Sequence, residues 1–95
     1  MDIKKGSNRF YIGDSEESAI AEITFIDKDR DTIVIDHTYV SHDLRGKGIA
    51  SELVSKVVEF AKEENKKVIP VCSFAKEEFI KHKDYLSVLD NVTYI

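Results

Sequence analysis

The hydrophobic pattern changes period once along the chain, close to residue 46. Before that point apolar residues alternate. Arg9-Phe10-Tyr11-Ile12 is a short β-like run closed by a Gly13-Asp14-Ser15 turn. From Ala19 to Ile26, Ala19, Ala21, Ile23 and Phe25 share one face while Ile20, Glu22, Thr24 and Ile26 share the other, the alternation of a half-buried strand. Thr32 to Val40 is a third run, rich in β-branched and aromatic residues. Strict alternation puts Ile33, Ile35, His37 and Tyr39 on one of its faces and Val34, Asp36, Thr38 and Val40 on the other. Asp27-Lys28-Asp29-Arg30-Asp31 reads as a solvated hairpin loop, and the short links predict an antiparallel meander. Residues 1–9 are polar and read as a loosely ordered lead-in.

After residue 46 the period lengthens. Ile49, Leu53, Val57 and Ala61 recur at four-residue intervals with Ala50, Val54 and Val58 beside them, a wide apolar stripe on a helix from Gly48 to Glu64. Asn65 suits the left-handed residue that ends a helix. Val68-Ile69-Pro70-Val71 is a short buried strand reached by that crossover helix, hence parallel to the third run. Pro70 lacks an N–H, so this strand belongs at an edge or splays there. Ser73 caps a second helix to about Lys81, with Phe74, Phe79 and Ile80 expected to face inward. Tyr85, Leu86, Val88 and Leu89 form a last helical patch, and Val92 to Ile95 is either a fraying end or a small added strand. The fold class is α/β: a twisted, mostly antiparallel sheet with a crossover helix and a splayed parallel strand pair, expected as one domain over 1–95.

Composition narrows the partners. The formal net charge of −4 argues against nucleic acid as the main ligand. No apolar run approaches ~18 residues, so no membrane span is expected, and the N-terminal residues lead into no apolar signal region. The single cysteine, Cys72, cannot form an internal disulfide, which fits a reducing cytoplasm. His37, His42, His82 and Cys72 lack paired ligand spacing, so no metal site is expected.

The change of period falls on Arg45-Gly46-Lys47-Gly48-Ile49-Ala50, a basic, glycine-bearing turn between a strand and a helix. Glycines let backbone N–H groups approach an anion closely, and the first helical turn has N–H groups with no partner of their own. The turn is therefore a candidate phosphate cradle, with N–H groups from Gly46 through Ser51 as donors and Arg45 and Lys47 adding charge. It is neither a Walker loop nor a dinucleotide fingerprint, since Glu52 and Leu53 follow where a third glycine would fall.

The hexapeptide resembles the [R/Q]-x-x-G-x-[G/A] acetyl-CoA-binding motif of the GCN5-related N-acetyltransferase (GNAT) superfamily, with Val40 five residues earlier at the position of that superfamily's strand end. His37-Thr38-Tyr39-Val40 and Ile69-Pro70-Val71-Cys72-Ser73-Phe74 resemble a minimal GNAT-like family, as does the later His82-Lys83-Asp84-Tyr85, so that the likeness runs from about Phe10 to Leu89. It implies a GNAT-like fold, and acetyl-CoA or CoA as co-substrate. Its pyrophosphate would sit at Gly46, Lys47, Gly48, Ile49, Ala50 and Ser51, and its pantetheine arm would bond to the Val40 backbone.

The catalytic residues are less defined. Cys72, at a strand end just before a helix N-terminus, is the candidate nucleophile that takes the acetyl group, with packing as its alternative role. His37 is a candidate general base. The family commonly has an acidic residue where Tyr39 stands, so a carboxylate base is missing at that position. Tyr85 reads as a packing residue. The acceptor is an unidentified amine, and the short chain leaves room for a protein side chain. Two readings compete: an N-acetyltransferase, and a CoA-binding or sensor module without catalysis. An interaction domain that binds no CoA is a third.

Overall fold

The computed structural model of the chain describes residues 2–90, so the tail Val92–Ile95 lies outside the described residues. Five strands form one sheet in the order β1-β2-β3-β4-β5: Lys4–Gly6, Arg9–Ile12, Ala21–Asp29, Thr32–Val40 and Lys67–Pro70. The first three pairings are antiparallel, and β4 with β5 is parallel. Helix α1, Ile49–Glu63, makes the crossover; α2, Ser73–Lys81, and a 3-10 helix, Lys83–Val88, follow β5. This is the expected α/β sheet with its crossover helix and its single parallel pair.

Local chemistry explains the boundaries. Gly48, with φ +76°, precedes α1. The helix closes with Lys66 N donating to Ala61 O at 2.8 Å while Asn65 takes the left-handed conformation with φ 55°, as the asparagine suggested. The lead-in is more ordered than expected. Lys4–Gly6 pairs with β2 through a two-residue Ser7-Asn8 turn, Asn8 having φ 51°, and Lys4 Nζ donates to Gly13 O at 2.8 Å. Its residues are polar because it is an edge strand ordered by backbone pairing, not by burial. The hairpin loop is also shorter than expected: β3 continues to Asp29, and Asp31 N donates back to Asp29 Oδ1 at 2.9 Å.

One hydrophobic core joins the sheet to both helices. Ile12, Ala21, Ile23, Phe25, Ile33, Ile35 and Val68 meet Leu53, Val54, Val57 and Ala61 of α1 and Ala75 and Phe79 of α2. Phe10, Phe25 and Phe60 form an aromatic cluster with ring centroids 5.5–6.3 Å apart. Ile80, expected inward beside Phe79, is instead 70% exposed. Consecutive helical residues sit about 100° apart, so the buried neighbour of Phe79 on the N-terminal side, Glu78, took that place. Glu78 is only 2% exposed, with His82 Nε2 3.4 Å from its Oε1.

The alternation on β4 breaks at Asp36. Thr24 pairs with His37 but the next residue, Phe25, pairs with Ile35, leaving Asp36 as a bulge held by Thr24 Oγ1 donating to Asp36 Oδ1 at 2.6 Å. The extra residue reverses the faces beyond it. Thr38 and Val40 stand opposite Ile23 and Ala21 on the helix-covered face, while His37 and Tyr39 stand opposite Thr24 and Glu22 on the outer face. The expectation that His37 and Tyr39 continue the Ile33–Ile35 face is therefore corrected. Because Phe79 is enclosed and Ile80 is not, Phe79→Ala is expected to lower stability by about 3–5 kcal/mol and Ile80→Ala by less than about 0.5 kcal/mol, read from urea midpoints. Equal losses would contradict this packing.

Candidate functional site

β5 runs beside β4 only from the Thr32–Lys67 pair to the Ile35–Pro70 pair. There the ladder ends: Ile35 O accepts from both Val71 N, at 3.0 Å, and Cys72 N, at 3.2 Å. Pro70 offers no N–H, β4 bulges one residue later, and among the described residues β4 has no strand partner on this side from Asp36 to Val40. The splay predicted from Pro70 is thus a property of both strands. It opens a slot of about 200 Å³ lined by Val40, Arg45, Gly46, Gly48, Ile49, Ala50 and Ser51, joined by Leu44 and Phe74.

Seven of the eight residues singled out for binding therefore converge on one cavity; Lys47 is exposed at its edge and does not line it. The turn reaches the slot through a 3-10 segment, His42–Leu44, in which Leu44 N bonds to Ser41 O at 2.9 Å and Arg45 N to His42 O at 3.3 Å. The first helical bond of α1 is Glu52 N to Gly48 O at 3.1 Å. Among the described residues no protein acceptor takes the N–H groups of Gly46 through Ser51, so a contiguous row of donors is left for an anion.

Gly46 and Gly48 have φ +80° and +76°, and nothing lies within 4 Å of where a Cβ would stand on either. The glycines are thus required by backbone conformation and not by crowding, and the space over the turn is open. Arg45 Nε donates to Val40 O at 3.0 Å, tying the turn back to the end of β4.

Cys72 is the N-cap residue of α2, half-buried two residues before Phe74, with Sγ 3.5 Å from Thr38 Oγ1 across the splay. Sequence reasoning missed Thr38 as the side chain meeting Cys72, because only the bulge turns it to that face. His37 is exposed on the outer face, so the structure does not bring His37 and Cys72 together. Leu44 was legible only as an apolar residue beside the glycine turn, and Phe74 as an inward-facing member of the 69–74 stretch and not as a wall of the slot.

Tyr85 packs edge-on to Phe79 with centroids 5.3 Å apart and stacks on His82 at 4.7 Å. Burial pushes its phenol pKa up; the Ser55 hydrogen bond works the other way, and the nearby Glu78, Asp84 and Glu59 add to the rise. Among the described residues no group of three or more His, Cys, Asp or Glu side chains could hold a metal, and no helix is long and apolar enough to cross a membrane.

A family model described as GCN5-related N-acetyl-transferase matches residues 9–88. The solution structure of a GCN5-like protein from Staphylococcus aureus is 46% identical, superposes with a TM-score of 0.77, and aligns over 98% of this chain and 94% of its own. A Mycobacterium tuberculosis protein crystallised in complex with CoA has 18% identity and a TM-score of 0.62 over 80% of this chain and 47% of its own. An Elizabethkingia anophelis GNAT family acetyltransferase with acetyl-CoA bound has 16% identity and a TM-score of 0.57 over 81% and 51%. At these identities the last two show the fold alone. No curated protein matches.

The open space at Gly48 separates conformation from packing. Gly48→Ala is expected to cost about 1–2 kcal/mol of backbone strain, and Gly48→Asn less, since asparagine tolerates the left-handed region. Denaturant midpoints check this, and an alanine variant as stable as the parent would contradict it. For Tyr85, a folded pKa above the unfolded value of 10.0 means that its contribution is fully present below pH 10.0 and lost as pH rises through the folded value. Tyr85→Phe should therefore show a shallower loss of stability than the parent as pH rises above 10.

Proposed function

Because the chain belongs to the GCN5-related N-acetyltransferase family, we propose that it binds acetyl-CoA in the slot beside β4 and passes the acetyl group to an amine. The observation that carries this reading is the row of unclaimed N–H groups from Gly46 to Ser51, opening with Arg45 onto the slot. A pyrophosphate accepts from such a row at a helix start, where the dipole also favours negative charge. Arg45 adds a planar set of donors, and Lys47 adds charge from outside. The pantetheine arm then runs along the unpartnered edge of β4 from Val40 toward Thr38. The CoA and acetyl-CoA found on the Mycobacterium and Elizabethkingia proteins, which share this fold, support the assignment.

Transfer follows one of two routes. In the first, the Cys72 thiolate attacks the thioester carbonyl, the bond to the CoA sulfur breaks, and CoA leaves as a thiolate that takes up a proton. The acceptor amine next attacks the acetyl-Cys72 thioester, releases the thiolate and loses a proton. The Thr38 hydroxyl beside Sγ favours this route by offering the thiolate a donor. In the second, the amine attacks acetyl-CoA directly and His37, on the outer face, takes the proton. The chain spans about half the length of the Mycobacterium and Elizabethkingia proteins. The acceptor in either route is an amine, such as one on a protein side chain. The second reading, a CoA-binding or sensor module without catalysis, is favoured by the placement of His37 on the outer face, away from Cys72. A free thiol at Cys72 suits a reducing cytoplasm.

The test is a calorimetric titration with acetyl-CoA followed by intact mass on the same sample. The parent is expected to bind. Gly48→Asp, which tolerates the backbone conformation but sets a carboxylate over the cradle, should weaken binding by about a hundredfold or more while keeping the fold. Undiminished binding by Gly48→Asp would overturn the assignment. An acetyl adduct that is absent in Cys72→Ser selects the covalent route.

A further inference from the structure

Among the described residues, the bond from Arg45 Nε to Val40 O at 3.0 Å is the only side-chain hydrogen bond made by residues 40–51. It joins the two halves of the slot. Val40 ends β4, whose free edge flanks the cavity, and Arg45 begins the glycine turn, whose N–H groups open onto it. Between them the 3-10 segment is held by Leu44 N to Ser41 O and Arg45 N to His42 O, bonds that do not themselves reach β4. The turn contains two residues in the left-handed region, and no atom lies within 4 Å of their Cβ positions, so packing does not restrain it there. Ser41 N, which follows Val40, is anchored separately to Ile20 O at 2.8 Å, so the end of β4 is fixed to the sheet. The brace therefore ties the turn to the end of the sheet by a side chain, in addition to the backbone bonds of the 3-10 segment.

We propose that Arg45 is a positioning residue that sets the turn at the distance from β4 required for one ligand to occupy both. The proposal rests on the acetyl-CoA reading and deepens it. A guanidinium carries five N–H donors in a planar fork. With Nε spent on Val40 O, the four on the two terminal nitrogens remain for phosphate, so one side chain holds the strand and faces the anion together. A lysine ammonium has the same charge but is a point donor on a flexible stem and cannot do both. A ligand that touches only the turn, such as inorganic pyrophosphate, meets the N–H row and the side chain's charge and donors, most of which an ammonium at position 45 keeps, and does not depend on the distance to β4. Acetyl-CoA needs the turn and the β4 edge in register, because its phosphates and its thioester arm are covalently joined. Loss of the brace thus penalises the long ligand selectively, as loss of pre-organisation does.

The experiment compares inorganic pyrophosphate with acetyl-CoA by amide chemical-shift titration, which reads affinities into the millimolar range and reports folding from the same spectra. Arg45→Lys is expected to change pyrophosphate affinity by less than about threefold and to weaken acetyl-CoA by roughly ten- to thirtyfold. Lys47→Ala, which removes charge without touching the brace, should weaken both ligands by the same factor. Equal factors for the two ligands in Arg45→Lys, or unchanged acetyl-CoA binding, would overturn the proposal. A ligand-free reading stands beside it. In the parent, the Arg45 Nε–H should exchange with water more slowly than that of Arg30, whose side chain is 92% exposed. Equal exchange rates would show that the brace is not made and would overturn the proposal by themselves. A parent that binds pyrophosphate but not acetyl-CoA, with a protected Nε–H, would instead sink the acetyl-CoA reading.

Discussion

The site depends on where β5 parts from β4. At Ile35 a single carbonyl accepts the N–H groups of Val71 and Cys72, the two residues that follow β5. One residue later β4 bulges at Asp36. A bulge bends its strand and increases local twist, and a proline in the neighbouring strand removes a ladder donor. The two features fall at the same level of the sheet, so the strands separate where both stop being able to pair. Everything placed in the slot follows: the free edge of β4, the reversed facing of Thr38 and Val40, and the approach of Cys72 to Thr38.

Core and site divide the chain's requirements between them. The lower halves of β4 and β5, with Ile33, Ile35 and Val68 enclosed under α1, hold the parallel pair by burial. The upper half is held by backbone hydrogen bonds and one guanidinium, with glycines at the turn where conformation matters and volume does not. Burial fixes α1 through Leu53, Val57 and Ala61, and so aims its N-terminal N–H groups at the opening. The helix acts as the mount, and the turn in front of it is tied back to β4 through Arg45. Such an arrangement suits a ligand that is long, flexible and charged at one end.

Much of this was legible in the residues. Period-2 alternation gave β2 and β3, the four-residue stripe gave α1 to within a residue, Asn65 marked its end, and Pro70 marked the splay. The glycine turn was readable because its chemistry is local. Failures came where a non-local pairing overrode a local pattern. Asp36 looks like an ordinary outward residue, and only its bond with Thr24, twelve positions away, makes it a bulge; hence the wrong face for His37 and Tyr39 and the missed Thr38. Lys4–Gly6 carries no apolar signal, since an edge strand can be ordered by pairing alone. Ile80 was expected inward and the burial of Glu78 went unseen because a short amphipathic helix fixes its phase only weakly, and Phe79 serves either phase.

The central claim is that one ligand spans the glycine turn and the unpaired edge of β4. The most direct measurement is residue-resolved amide mapping in the parent as acetyl-CoA is added. The account predicts that the largest shifts fall on Gly46 through Ser51 and on Thr38 through Val40, with the lysine-bearing far side, Lys62 to Lys67 from the end of α1 to the start of β5, unmoved. Shifts confined to the far end, or none at millimolar acetyl-CoA, would contradict it.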